Sequence, residues 1–174
     1  VAKACNLNKT TTFHLLKTLE TRGYIEQSYD TQVYKLGWRA IELFAEFYQN
    51  MDIRPVAVPY MDKIREILDE TVTCYYFVKV EDYYMASCII QMESSKSLKY
   101  SSKLGSRVPL HCTAAGKVRW LGYDEDMLKI QLEKTPFPIF TPYTTSCAED
   151  LLAQLPEIRQ KGYCIEREEY MPGI

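Results

Sequence analysis

The residues best suited to covalent or acid–base chemistry stand in an unhelpful relation to one another. His111 and Cys112 are adjacent, and neighbouring side chains on an extended strand point to opposite faces, so a thiol–imidazole dyad does not form easily. Glu168 and Glu169 meet the same difficulty as an acid–base pair. The six cysteines (Cys5, Cys74, Cys88, Cys112, Cys147 and Cys164) are dispersed, with no CxxC pair, and only two histidines are present to complete a metal site. There is no GxSxG and no phosphate-binding loop. No catalytic residue, cofactor or metal is expected, and the cysteines read as small buried hydrophobes in a reducing compartment. An unrecognised hydrolase is kept only as an alternative.

A second set of residues points to different chemistry. In NLNKTTTFHLLKTLETRGYIEQ, residues 6–27, a short helix carries Lys9, Thr10, Thr11, His14, Lys17 and Arg22. Thr10, Thr11 and His14, near its start, could reach base edges or flanking phosphates, while Lys9, Lys17 and Arg22 offer charge to a nucleic-acid backbone. These six are the candidate DNA-binding residues. Asn8 is placed to cap the helix, Thr12, Leu15, Leu16 and Leu19 recur as its apolar face, and Gly23 stands where a left-handed residue ends it. A short helix over residues 1–5, joined through Asn6-Leu7-Asn8, completes a helix-turn-helix, whose second helix lies in the major groove. YIEQSYDTQVYKLG then alternates, turns at Tyr29-Asp30-Thr31 and alternates again, the pattern of a two-stranded hairpin. A helix-turn-helix followed by such a hairpin is a winged helix.

The remaining elements must support that helix and whatever controls it. The 174 residues allow one domain or two small ones, and 47% hydrophobic with 25% charged residues is the balance of an ordinary globular protein. No apolar run approaches the roughly 18 residues of a membrane span, and no signal-like segment opens the chain, which places it in the cytoplasm without a membrane partner. Residues 1–40 carry six basic side chains against three acidic ones, the remainder 15 against 20. The basic front end suits nucleic-acid contact by that segment alone. After Gly37, Trp38, Ile41, Phe44, Ala45, Tyr48 and Met51 recur at three- and four-residue steps, a stripe too apolar for a solvated linker, which reads as a contact with a second copy of the chain.

Arg54-Pro55 marks the next boundary, followed by a helix bearing Ala57, Tyr60, Met61, Ile64, Ile67 and Leu68. TCYYFVKV and YYMASCII form a hairpin about Glu81-Asp82, and a further short strand includes Leu98 and Tyr100. Thr113 can cap a helix beginning at Ala114. Ser146 and Glu149 form a capping-box pattern that opens a helix ending at Lys161-Gly162, and residues 163–168 return to strand. Antiparallel hairpins with helices set to one side make this an α+β fold. The N–H groups of Ala114 and Ala115, unsatisfied at a helix start, are a suitable place for a carboxylate.

LNKTTTFHLLKTLETRGYIEQ…YKLG resembles the winged-helix domain of the IclR family of bacterial transcriptional regulators, with His14 where that family usually has arginine. PLHCTAAGK, TPYTT and IRQKGYCIEREEYMPG, in this order and spacing, resemble its GAF-like effector-binding domain. The resemblance implies a winged helix-turn-helix over residues 1–37 lacking its first helix, a linker and dimerisation helix over 38–52, and an effector-binding domain over 53–174 lacking its last strands, so a chain truncated at both ends. It further implies a homodimer or homotetramer on double-stranded operator DNA. The helix start at Ala114 and Ala115 points to a small organic acid as the expected effector, and the resemblance implies a pocket built from Leu98, Tyr100, Val108, Ala114, Ala115 and Glu166. A small-molecule sensor signalling through protein partners is the alternative.

Overall fold

The computed structural model describes residues 1–174, which divide into two compact units, Val1–Ile53 and Arg54–Ile174. In the first, α1 runs Lys9–Thr21 because both ends are capped locally. The Asn8 side chain accepts from Thr11 N at 2.8 Å, and beyond Arg22 the chain turns through Gly23 at φ +76°. There Gly23 N donates to Glu20 O and Tyr24 N to Leu19 O, both at 2.9 Å, the paired bonds that close a helix on a left-handed glycine. Strands β1 (Ile25–Gln27) and β2 (Tyr34–Leu36) pair antiparallel with Ile25 opposite Leu36, forming the expected wing. Helix α2, Arg39–Gln49, follows and belongs to this unit.

Two expectations for this unit change. Residues 1–5 make one hydrogen-bonded turn, Cys5 N to Val1 O at 3.0 Å, and not a helix. Of the predicted apolar face of α1, Thr12 is buried and Leu16 half-buried, but Leu15 and Leu19 stay exposed.

The second unit opens with α3 (Ile53–Leu68), then β3 (Val72–Val80), β4 (Tyr83–Met92) and β5 (Arg107–Pro109) in an antiparallel sheet of order β3-β4-β5. Short α4 (Ala114–Trp120), α5 (Glu125–Lys134) and α6 (Ala148–Lys161) complete it. The α+β class is as expected. Ala86, Val108, Leu110, Trp120, Leu132, Leu151, Leu155 and Ile158 form the core between sheet and helices. Gly116 lets α4 lie directly on the backbone of Leu110, because a Cβ there would come within 2.4 Å of Leu110 Cα. The same contact lets Trp120 Nε1 donate to Leu110 O at 3.1 Å.

Three assignments in this unit are corrected. The strand expected at Leu98 and Tyr100 is an irregular loop, and the β-partner on that side of β4 is β5. Residues 163–168 form no strand, since no ladder reaches them. The following carbonyls are taken by side chains instead: Thr141 Oγ1 donates to Glu168 O at 2.6 Å and Thr144 Oγ1 to Glu169 O at 2.7 Å. The capping box at Ser146 does not form. Cys147 is the N-cap of α6 and makes no side-chain cap bond, so the helix begins one residue later than the pattern requires. Its far end is as expected, with Gly162 at φ +75°.

Candidate functional sites

All six candidate DNA-binding residues are exposed. Thr10, His14 and Lys17 are spaced to share one face of α1, and Lys9 and Thr11 flank them in the first turn. Arg22, at the C-cap, lies roughly 20 Å along the axis from Lys9 by the 1.5 Å rise per residue. The two ends of the helix therefore cannot serve one and the same contact. His14 sits edge-on to Phe13, centroids 5.9 Å apart, and Lys17 Nζ is paired with Glu20 at 2.9 Å across exposed side chains. A pair of that kind is worth little in water, so the lysine is free to exchange its partner for a phosphate.

In the second unit a cavity of about 210 Å³ lies against the start of α4. Its wall takes Tyr75 from β3, Val108 from β5, Thr113, Ala114 and Ala115 from the cap and first turn of α4, and Tyr100 from the loop after β4. Glu166, Tyr170, Met171 and Ile174 close it. Five of the six predicted effector residues thus meet in one cavity. Leu98 does not: it is 93% exposed, carried outward by the loop that replaces the expected strand. Tyr75 and Tyr170 were not among the expected residues, because in sequence they look like ordinary strand and turn aromatics. Tyr75 and Tyr100 hydroxyls both meet Ser102 Oγ, at 3.4 and 3.0 Å, which orients the two phenols along one side.

The polar end of the cavity also differs from expectation. The Ala114 N–H is not free, because Glu166 Oε2 accepts from it at 3.3 Å while Oε1 accepts from Tyr170 N at 3.0 Å. A carboxylate from the chain itself stands where an external one was anticipated. Burial pushes the Glu166 carboxyl above its ordinary range, the two N–H donors and Lys117 oppose this, and neighbouring Glu169 adds to it. His111 and Cys112 are fully buried. Burial holds the imidazole below its usual value and pushes the thiol up to about 12, a state that suits core packing and not nucleophilic attack. No group of three or more His, Cys, Asp and Glu side chains is placed to hold a metal ion, and no helix is long and apolar enough to cross a membrane.

Behind the cavity lies a feature that sequence reasoning did not find. Lys117, on α4 and 1% exposed, places Nζ 2.5 and 2.6 Å from the two oxygens of Glu169 and 2.7 Å from Gln154 Oε1. Thr145 Oγ1 donates to Glu169 Oε2 at 2.7 Å, and Gln154 Nε2 donates to Thr145 Oγ1 at 3.1 Å. The partners are up to 52 residues apart in sequence, so no local pattern announces them.

A capped helix with a wing after it, and a separate α+β unit enclosing a small-molecule-sized cavity, are the parts of a winged-helix regulator. Residues 45–174 match the family of the bacterial transcriptional regulator IclR C-terminal domain, and residues 1–28 match the IclR helix-turn-helix domain. The chain belongs to the IclR family. It is 32% identical over 176 residues to the HTH-type transcriptional regulator XynR of Escherichia coli K12, covering all of this chain and 68% of that one. It is 31% identical over 168 residues to KdgR of Dickeya chrysanthemi, covering 97% of this chain and 54% of that protein. Among solved structures, an IclR regulator from Alicyclobacillus acidocaldarius superposes with a TM-score of 0.84 at 22% identity, over 99% of this chain and 68% of that one. An IclR homologue from Microbacterium hydrocarbonoxydans, complexed with 4-hydroxybenzoate, does so with a TM-score of 0.73 at 19% identity, over 98% and 68%. Both share the fold.

Proposed function

We propose that this chain is the greater part of a cytoplasmic, non-enzymatic transcriptional regulator that binds operator DNA through α1 and the wing and responds to a small organic acid in the second unit. The domain roles follow the sequence reading: DNA recognition by residues 1–37, dimerisation through 38–52 and effector binding by 53–174. The cavity carries the reading. Its 210 Å³ exceeds the roughly 150 Å³ that suffices for benzene. Its wall is mostly tyrosine rings and aliphatic groups, and its one carboxyl, Glu166, sits at the polar end. A compact acid of about one ring fits, with a hydroxyl or a protonated carboxyl donating to Glu166. The 4-hydroxybenzoate bound by the Microbacterium homologue has these features.

Dimerisation is supported by α2. Ile41, Leu43, Phe44 and Phe47 are exposed, Ile41 by 71%, and no residue of the helix is buried. Apolar side chains grouped this way on a single short helix are the mark of an interaction surface. Two copies also satisfy recognition, because one helix offers few base contacts and a two-fold dimer reads two half-sites. An effector acts only through unequal affinity for two arrangements of the paired wings.

The test is a gel-shift titration on duplex DNA from upstream of the protein's own gene, with and without 4-hydroxybenzoate and related acids. Binding that weakens steeply with salt and changes with one of the acids is the expected outcome. Ala115→Asp adds a fixed carboxylate to the cavity wall and should leave DNA binding intact but unresponsive. Retention of the acid response by that variant places the effector elsewhere.

A further inference from the structure

Neither Lys117 nor Glu169 lines the cavity, yet both are tied to the residues that do. Glu166 and Glu169 are three residues apart in one turn, and α4 holds both: Ala114 N–H on the Glu166 carboxylate, and Lys117 Nζ, one helical turn further on, against the Glu169 carboxylate. The turn between them contains Glu168 at φ +57°, a left-handed conformation that a residue with a Cβ adopts only where its surroundings impose it. Those surroundings are the Thr141 and Thr144 hydroxyls on the carbonyls of Glu168 and Glu169, and the buried ammonium. Tyr170, the next residue, donates its N–H to Glu166 and contributes its ring to the wall.

Burying this much charge is not explained by stability. A buried ion pair is commonly no more stabilising than apolar groups of the same volume, whereas its geometry is far more exacting. What the pair supplies here is position. Fixed to a helix that packs against the core through Gly116 and Trp120, it defines where the 166–170 turn stands. It thereby defines how far Glu166 and Tyr170 project into the cavity.

We propose that Lys117 and Glu169 are positioning residues for the effector cavity: their buried ion pair latches the 166–170 turn to α4 and sets the place of Glu166 and Tyr170 in the wall. This rests on the reading of the cavity as the effector site. Releasing the latch leaves the Glu166 and Tyr170 bonds to fluctuate with a strained turn, while the sheet and core keep their packing.

The test uses the full chain with Lys117→Met and Glu169→Met together, an apolar replacement of similar volume that avoids leaving one charge buried alone. Hydrogen exchange followed by NMR should quicken about tenfold or more at the Ala114 and Tyr170 amides and stay unchanged along the β3–β4 ladder, the range over which such networks couple neighbouring sites. A general role in stability moves all these amides together. Calorimetry with 4-hydroxybenzoate as probe should show about tenfold weaker binding than the parent chain. Unchanged exchange at Ala114 and Tyr170, or exchange quickened uniformly across the unit, overturns the latch whatever the probe does. Selective quickening with no binding of the probe or related acids by the parent upholds the latch and counts against the effector reading alone.

Discussion

Gly116→Ala sets two known effects against each other, and the structure decides the sign. Replacing a helical glycine with alanine gains at most about 1 kcal/mol of backbone propensity. At this position the new methyl would stand 2.4 Å from Leu110 Cα, 2.5 Å from its carbonyl oxygen and 2.7 Å from its carbonyl carbon. Carbon atoms rest at about 3.5–4.0 Å, so helix and backbone must part by roughly 1 Å. Leu110 cannot yield cheaply. It is 1% exposed, its carbonyl holds Trp120 Nε1, and the preceding Pro109 carbonyl accepts from Thr113 Oγ1 at 2.6 Å. Overpacking of this kind costs about 1–3 kcal/mol, and backbone on both sides puts this case at the upper end. The net expectation is a loss of about 2 kcal/mol from the second unit. Urea denaturation monitored by fluorescence of buried Trp120 measures it, and the same variant should weaken effector binding because Ala114 and Ala115 move with the helix. A variant more stable than the parent by about 1 kcal/mol, as propensity alone demands, refutes the close approach of α4 to Leu110.

Three further outcomes are expected. Lys17→Ala should weaken binding to all DNA sequences alike and reduce the salt slope by about one, as loss of a phosphate contact does, and a loss confined to particular base changes would assign Lys17 to base reading instead. Ile41→Glu with Phe44→Glu should convert dimers to monomers in sedimentation while the circular dichroism of the chain is retained. Glu166→Gln should alter the pH dependence of stability. The native carboxyl titrates above its ordinary value, so the folded state holds that proton more tightly. Its contribution is fully present below the unfolded value of about 4.3 and is lost as pH rises through the native one. Urea midpoints measured from pH 4 to pH 8 should fall less with rising pH in the Gln variant.

Features set by short-range rules were legible in the sequence. Asn8 and Gly23 bound α1, Thr113 caps α4 by accepting from Gly116 N, and Gly162 closes α6, each through partners a few residues away. The wing was legible because its strands alternate about a polar turn. Features that need a distant partner were not. Residues 163–168 have the β-prone Tyr163, Cys164 and Ile165, but strand formation depends on a neighbour that local composition does not reveal. Lys117 reads as a solvated helix lysine until Glu169 is brought to it. Ala114 offers an open N–H until Glu166 occupies it. Helix α5 leaves little trace in the sequence: Asp124 caps it, accepting from Met127 N at 2.8 Å, but only Gln131 and Leu132 along it are buried, which makes no apolar stripe.

The hairpin of β3 and β4 carries one residue of slack. Cys74 stands opposite Ile90 and Tyr75 opposite Cys88, so Ile89 is one residue more than a regular ladder holds. The hairpin tip is tied at Val80 and Tyr83, and β4 is tied again to β5 at Ala86 and Val108. A deletion of Ile89 would leave Tyr75 opposite Cys88, Cys74 opposite Ile90 and Gln91 opposite Thr73, removing only the local irregularity. Gln91 Oε1 accepts from Ser102 N at 2.7 Å, and Ser102 is the anchor of Tyr75 and Tyr100. Mutational drift can thus exchange side chains in this strand one at a time, altering the chemistry of the cavity by degrees. The loss of a single codon at the bulge would likewise leave Gln91 in register and that wall of the cavity attached.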